Sequence, residues 1–207
     1  PLYSSAASDV YKRQDKIGEK VYGVVINCSN TENLNSYGAH KIININSSDL
    51  VDFSSKKYAH ALVEIVKSEN SKIIILSSSP NSKYLGAHLS GITDSSFVSN
   101  VVKLPESSNP FIVKRTCFTN KAFSLTELTS DLKIISITSN SFGIVEKPNN
   151  PENETLEIKG ISTNQKILDI EKESGTVTIA DAEIVVSGGR GLKGPENWEM
   201  IESLAET

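Results

Sequence analysis

The sequence has few of the features that mark membrane, secreted or nucleic-acid-binding proteins. No apolar run approaches the roughly 20 residues that a membrane-spanning helix needs. Its 21 basic residues are outnumbered by 25 acidic ones, and no Lys/Arg cluster stands out, so nothing favours binding to nucleic acid. The two cysteines, Cys28 and Cys117, are far apart and form no C-x-x-C pair. We interpret them as reduced and structural.

Common catalytic and metal-binding patterns are also missing. There is no G-x-S-x-G elbow, and the P-loop spacing fails because Lys193 precedes Gly194 and no Ser or Thr follows. His40, His60 and His88 lie on separate predicted elements, without a carboxylate or cysteine at metal-ligand spacing. The sequence therefore predicts no catalytic side chain and no metal site.

The first 14 residues, PLYSSAASDVYKRQ, do not resemble the start of a folded domain. They begin without methionine, contain no apolar signal-peptide core and lead into no periodic element. Such a segment is typical of translated adapter or vector sequence, with a disordered native tail as the alternative. We predict a non-native leader over residues 1–14 and an N-terminal α/β domain over residues 15–175.

After the predicted leader, the pattern of apolar residues predicts strands that alternate with helices, as in an α/β protein. Residues 21–27 and 72–77 are predicted to be buried strands, the second of them central in its sheet. Residues 41–46 alternate in polarity and are predicted to form a strand nearer an edge. The order of these segments predicts a mainly parallel sheet with flanking helices.

Two helices are predicted between or after these strands. The first has Ser54 or Ser55 as its cap, and its apolar positions follow helical spacing at Tyr58, Ala61, Leu62, Ile65 and Val66. The second covers residues 81–90, and its inner face is predicted to carry Tyr84, Leu85 and Leu89.

After the second helix, the sequence predicts strands that have no helices between them. Four are predicted, and they are interpreted as a β extension at one edge of the sheet: residues 97–104, 111–118, 122–128 and 133–138. Lys114 and Arg115 are expected on a solvated strand edge. Residues 146–155 are predicted to be a loop, residues 156–171 alternate in polarity, and residues 171–175 form a charged hinge that marks the domain boundary.

A glycine-rich turn near residue 190 carries the most specific pattern. Residues 182–186 are mostly apolar and end in three β-branched residues, which predicts a buried strand that stops at three glycines. Pro195 suits a first helical position and Glu196 a first turn. The buried side of this helix is predicted to carry Trp198, Ile201 and Leu204, with Met200 and Ala205 beside them.

A strand, a glycine turn and a helix N-terminus together expose backbone N–H groups in a crevice that favours phosphate. Gly189, Gly191 and Gly194 match the spacing G-x-G-x-x-G, but the acidic residue expected about 20 positions later would lie beyond Thr207. From these residues alone, dinucleotide binding and a connection that merely packs tightly are equal alternatives.

The string VVSGGRGLKGPENW, residues 185–198, closely resembles the segment that opens the FAD-binding domain in the α subunit of electron transfer flavoproteins. The resemblance implies that residues 176–207 begin a Rossmann-like FAD-binding domain. In that family the arginine of the turn contacts FAD, and here it is Arg190. It would place positive charge near the flavin or its pyrophosphate and stabilise the reduced, anionic flavin, while Gly189 and Gly191 would let the backbone approach.

Upstream segments resemble the same family. YAHALVEIVKSENSKIIILSSSPNSKYLGAHLSG is similar to a helix–strand–helix of the α subunit, and FIVKRTCFTNKAFSLTEL and KIISITSNSF are similar to its paired strands. The resemblance covers about residues 16–207. The family's first strand and helix are missing or mostly replaced, His88 and Thr138 stand where relatives commonly have arginine, and the later flavin loops are absent. The chain therefore resembles a truncated α subunit.

The resemblance implies an electron carrier subunit rather than an enzyme with its own substrate chemistry. Such a subunit holds FAD in a heterodimer with a β subunit and passes electrons from acyl-CoA or other dehydrogenases to a quinone-linked acceptor. The implied compartment is the bacterial cytoplasm or the mitochondrial matrix. A non-redox α/β binding module and another dinucleotide-dependent oxidoreductase are the alternatives. For the 207 residues alone we predict negligible FAD affinity and a partly exposed terminal helix.

Overall fold

The computed structural model describes residues 20–77, 79–138, 141–142, 146–165, 167–169, 179, 182 and 184–207. The chain divides into two compact units, residues 1–166 and residues 167–207. The predicted leader over residues 1–14 and the predicted domain boundary after residue 175 lie outside the described residues.

The regular elements of the described residues follow the order predicted for an α/β protein. In chain order they are β1 (Tyr22–Ile26), β2 (Lys41–Asn46), α1 (Ser55–Ser68), β3 (Ile73–Leu76), α2 (Pro80–Thr93), β4 (Ser96–Lys103), β5 (Ile112–Cys117), β6 (Ala122–Glu127), β7 (Lys133–Ile137), β8 (Glu152–Glu157) and α3 (Glu199–Ala205). Short 3₁₀ turns cover Glu32–Ser36, Ser48–Leu50, Arg190–Leu192 and Pro195–Asn197.

One sheet has three parallel strands in the order β1-β2-β8. The prediction that residues 41–46 lie nearer an edge is wrong, because β2 is the middle strand and its isoleucines are buried. Part of the predicted loop over residues 146–155 is also wrong, since residues from Glu152 onward pair with β2 as β8. Polar side chains on β8 are tolerated because alternate positions of this strand are exposed.

A second sheet has five strands in the order β3-β7-β4-β5-β6. Strands β3, β7 and β4 are parallel, whereas β5 and β6 are antiparallel to their neighbours. The prediction that residues 72–77 form a central strand is wrong, because β3 lies at one edge. The prediction that residues 133–138 belong to the β extension is also wrong. As β7 it lies between β3 and β4, where Ile134 and Ile135 are completely buried.

Helix α1 is buried on two sides. Its Ala61 and Ile65 pack with isoleucines of β2, and its Ala59 and Val63 pack with α2 and β7. The predicted helix is confirmed, as are Ala61 and Ile65 as buried positions. Ser54 is the N-cap residue, but its hydroxyl makes no capping hydrogen bond.

Helix α2 begins after Ser79, whose hydroxyl accepts a hydrogen bond from Ser82 N at 3.1 Å. Leu85 and Leu89 are buried, as predicted. The placement of Tyr84 on the inner face is wrong, because 65% of this residue is exposed. Successive helical residues are about 100° apart around the axis, so Tyr84 cannot share the centre of the face that Leu85 occupies.

Candidate functional site

The glycine-rich turn is built from two short 3₁₀ turns that precede α3. Gly189 caps the first of them, and Leu192 N donates to Gly189 O at 3.1 Å. Lys193 then has a left-handed φ of 67°, and Gly194 N donates to Leu192 O at 2.8 Å. This i→i+2 hydrogen bond makes Lys193 the centre of a γ-turn with positive φ, a rare and strained conformation. The chain therefore reverses sharply between Arg190 and the next turn.

The start of the terminal helix is held against this turn. Pro195 occupies the first position of the second 3₁₀ turn and Glu196 lies in that turn, as the sequence predicts. The side-chain amide of Asn197 donates to Leu192 O at 2.8 Å. This hydrogen bond fixes the distance between the reversal and the helix, and sequence reasoning did not identify Asn197 as a site residue.

The glycines of the turn differ in how much space a Cβ atom would have. A Cβ atom on Gly188 would overlap the side chains of Leu192 and Ile201, so this glycine lets the turn pack on the helix. Around Gly189 and Gly191, by contrast, a Cβ atom would meet nothing within 4 Å. Gly189 and Gly191, which were predicted to let the backbone approach a cofactor, therefore face open space. Gly188 was not predicted to have a role, and it is the glycine that allows close packing.

Arg190 lies at the exposed edge of the turn. Its guanidinium makes no hydrogen bond or ion pair with any residue that the structure describes. The backbone amides of Arg190 and Gly191 likewise find no acceptor in the described part of the chain. Unpaired amides beside a guanidinium form a donor set that suits a phosphate or a carbonyl oxygen. The residues present thus fit the anionic and carbonyl oxygens of a flavin nucleotide.

The segment before the turn differs from its prediction. Among residues 182–186, those that the structure describes form no strand, and Ile184 is 83% exposed. A strand requires a neighbour to receive its hydrogen bonds, and the described residues supply none here. The predicted buried strand is therefore wrong for this chain.

The apolar face of α3 is only partly covered by the residues that the structure describes. Trp198 is 52% exposed and Leu204 is 64% exposed, while Ile201 is half-buried. Their assignment to a buried side is wrong for the 207 residues, and the expectation of a partly exposed terminal helix in this chain is confirmed.

The histidine and cysteine side chains do not come together at a common site in the described part of the chain. His60 is exposed, and His40 Nδ1 accepts a hydrogen bond from Val21 N at 3.2 Å. Cys28 and Cys117 are free thiols. Over the described residues there is no group of three or more His, Cys, Asp or Glu side chains that could hold a metal ion. In the same part of the chain, no helix is long and apolar enough to cross a membrane.

Comparison with known proteins agrees with the fold. The electron transfer flavoprotein domain matches residues 6–164, a match that starts inside the predicted leader. The electron transfer flavoprotein subunit alpha of Bacillus subtilis (strain 168) is 22% identical over 193 residues, which cover 92% of this chain and 58% of that protein. The subunit alpha of Thermoanaerobacterium thermosaccharolyticum is 24% identical over 210 residues, covering 94% of this chain and 62% of that protein. The mitochondrial subunit alpha of Oryza sativa subsp. indica is 32% identical over 85 residues, covering 41% of this chain and 21% of that protein.

The chain belongs to the electron transfer flavoprotein family, because the family match covers most of its length. Its resemblance to the α subunit is confirmed by bacterial relatives of that name that align with nearly the whole chain. The chain spans 58% and 62% of the lengths of these two relatives. The α/β fold with parallel strands agrees with this membership.

Proposed function

We propose that this chain is part of an electron carrier α subunit that holds FAD together with a β subunit. The observation that carries the proposal is the turn over residues 188–194, where open space at Gly189 and Gly191 adjoins the exposed guanidinium of Arg190. FAD would supply all of the redox chemistry, and the protein would supply binding, orientation and electrostatics.

Arg190 is the residue of this chain that would position the cofactor. Its planar guanidinium offers several N–H donors at fixed angles, so it can bind a phosphate or a flavin carbonyl through two hydrogen bonds. The amides of Arg190 and Gly191 would add donors at the same edge. Gly188 and Asn197 would act indirectly, because they hold the turn against the helix that follows it.

Electron donors and acceptors of the complex are proposed from family membership. Acyl-CoA or other dehydrogenases would reduce the bound flavin, and a quinone-linked acceptor would oxidise it. The relatives include bacterial proteins and a plant mitochondrial protein, so the bacterial cytoplasm or the mitochondrial matrix is the proposed compartment.

The test compares two forms of the protein. The longest reading frame that contains this chain is coexpressed with a β subunit from the same organism, and the ratio of FAD to protein is measured in the purified complex. We expect one FAD for each heterodimer, and electron transfer from a reduced dehydrogenase to a dye. A flavin-free complex would contradict the proposal and favour a non-redox binding module.

The 207 residues alone serve as the second form. Few contacts to a cofactor can form around an isolated, exposed turn, so we expect no stoichiometric flavin after purification with excess FAD. A yellow preparation with one flavin per chain would show that the 207 residues bind FAD without further protein, and would overturn the prediction of negligible affinity.

A further inference from the structure

The carbonyl oxygen of Leu192 ties the glycine-rich turn to the segment that begins the terminal helix. It accepts two hydrogen bonds, one from Gly194 N and one from the side-chain nitrogen of Asn197, both at 2.8 Å. A carbonyl oxygen has two lone pairs, so both bonds can form at once. The side chains of Leu192 and Ile201 both lie close to Gly188. Leu192 is therefore held through its side chain as well as through its backbone.

Lys193, the residue that follows, has a backbone conformation that costs free energy. Its φ of 67° and ψ of −46° are close to those of a γ-turn with positive φ, which is rare and strained. Glycine adopts positive φ more readily because it has no Cβ atom, but a lysine stands here. Its side chain makes no hydrogen bond or ion pair with any residue that the structure describes. The strain must therefore be offset by contacts of its neighbours.

Asn197 is the neighbour that is placed to offset this strain. Its hydrogen bond to Leu192 O joins the two ends of the segment 192–197, which contains Lys193. If Lys193 moved to a negative φ, the direction of the chain after it would change, and the Asn197 side chain would lose its reach to Leu192 O. Because the hydrogen bond forms only in the strained conformation, it shifts the population of the turn toward that conformation.

The conformation of Lys193 also determines how the preceding 3₁₀ turn, which carries Arg190, comes to an end. In that turn Leu192 N donates to Gly189 O and Lys193 N donates to Arg190 O, both at 3.1 Å. The amides of Arg190 and Gly191 have no acceptor among the described residues. A different backbone conformation at Lys193 would loosen the end of this turn, and the free amides and the guanidinium would no longer share one fixed edge.

We propose that Asn197 is a positioning residue for the flavin, which offsets the strain at Lys193 and so holds the donor groups around Arg190 in their binding geometry before FAD binds. The inference rests on the proposed function and adds to it the means by which the turn is preorganised. When only one conformation of a protein binds a ligand, the apparent affinity falls with the fraction of that conformation. Loss of the Asn197 hydrogen bond should therefore weaken FAD binding, although every donor group is still present.

The first measurement follows the turn in the absence of flavin. In the 207-residue chain, hydrogen exchange of the Gly194 amide reports opening of the γ-turn, because this amide donates to Leu192 O. Asn197→Ala removes the side-chain donor, and we expect exchange to become roughly 2- to 10-fold faster, the effect of one lost hydrogen bond. Ser203→Ala, at an exposed position of α3, is the control and should leave exchange unchanged. Unchanged exchange in Asn197→Ala overturns the proposal.

A second substitution separates positioning from a general loss of structure. Lys193→Gly and Lys193→Ala both remove the charge of this side chain, but only glycine relieves the cost of a positive φ. In the Asn197→Ala background, we expect Lys193→Gly to return the exchange rate of Gly194 toward the wild-type value, and Lys193→Ala to leave it fast. Equal effects of the two substitutions at Lys193 would show that Asn197 does not offset strain there, and would overturn the proposal.

The last measurement is the Kd for FAD in the longest reading frame that contains this chain, coexpressed with a β subunit. We expect Asn197→Ala to raise the Kd by roughly 2- to 10-fold. In that background Lys193→Gly should reverse most of the increase, whereas Lys193→Ala should not. Equal FAD affinity in wild type and Asn197→Ala overturns this inference alone. A wild-type complex without flavin overturns the proposed function and this inference with it, even if exchange at Gly194 responds as expected.

Discussion

Gly86 of α2 lies against the ring of Phe97 of β4, so that a Cβ atom at position 86 would fall 2.6 Å from Cζ of that ring. Gly86→Ala should therefore force α2 away from the sheet. Overpacking costs about 1–3 kcal/mol, which exceeds the roughly 1 kcal/mol that alanine contributes over glycine in a helix. We expect a net loss of about 1 kcal/mol in the free energy of unfolding, measured by urea denaturation.

Gly91 gives a matched control within the same helix, because a Cβ atom there would meet nothing within 4 Å. Gly91→Ala should stabilise the protein by up to about 1 kcal/mol through helix propensity alone. Equal effects of the two substitutions would contradict the close packing of α2 on β4.

Asp49 fixes the chain that leaves β8. Its Oδ2 atom accepts hydrogen bonds from Gly160 N at 2.9 Å and from Ile161 N at 3.1 Å. Asp49→Ala should leave both amides without this acceptor and cost about 0.5–1.5 kcal/mol for each hydrogen bond, because Gly160 is exposed and Ile161 is half-buried, so water can partly replace the carboxylate. Hydrogen exchange of these two amides should accelerate more than exchange within β7. Unchanged protection at Gly160 and Ile161 would show that the carboxylate does not hold this segment.

Lys41 joins three elements of the first unit. Its Nζ atom lies 2.7 Å from Glu69 Oε1, beyond the end of α1, and 2.7 Å from Glu154 Oε2 on β8. Hydrogen bonds to Glu154 and Glu69 raise the pKa of Lys41 above its usual range, although desolvation opposes this shift. A raised pKa in the folded state means that the ion pairs stabilise the fold fully below the unfolded pKa, about 10.4, and lose that effect as pH rises through the folded value.

We therefore expect Lys41→Met to lower Tm at neutral pH, with the variant and wild-type curves converging only above about pH 10.4. Lys159→Met is the control. Lys159 lies 2.8 Å from Glu157, but both side chains are mostly exposed, and exposed ion pairs contribute little. A Tm difference for Lys41→Met that does not change with pH would assign the effect to packing instead of charge.

Local sequence patterns predicted which segments are regular, but they did not predict which strands pair. The alternation of residues 41–46 suggested an edge strand with one solvated face. Asn44 instead donates from its side-chain nitrogen to Cys28 O at 2.8 Å, so this nitrogen is satisfied within the protein, although the buried Oδ1 of the same side chain has no partner among the described residues. Strand β8 pairs with β2 across more than a hundred residues of chain, and no local propensity encodes such a partner.

The candidate site was predictable where it depends on local chemistry. Pro195 and Glu196 begin a helical turn as their residue types predict. The strand predicted before the glycines is absent from the described residues because a strand depends on a partner that local sequence does not provide. Gly188 could have been recognised as a packing glycine only from the positions of Leu192 and Ile201, whereas an asparagine two residues after a helix-starting proline was a visible signal for Asn197.

The most direct test of the proposed function is flavin retention by Arg190→Ala in the longest reading frame, coexpressed with the β subunit. The matched control is Lys193→Ala, which removes the same charge from another position of the turn. Loss of a charged hydrogen bond costs about 1.5–3 kcal/mol, so we expect Arg190→Ala to raise the Kd for FAD by roughly 10- to 150-fold, and Lys193→Ala to change it far less. Equal FAD affinity in wild type and Arg190→Ala would contradict the assignment of this turn to the flavin.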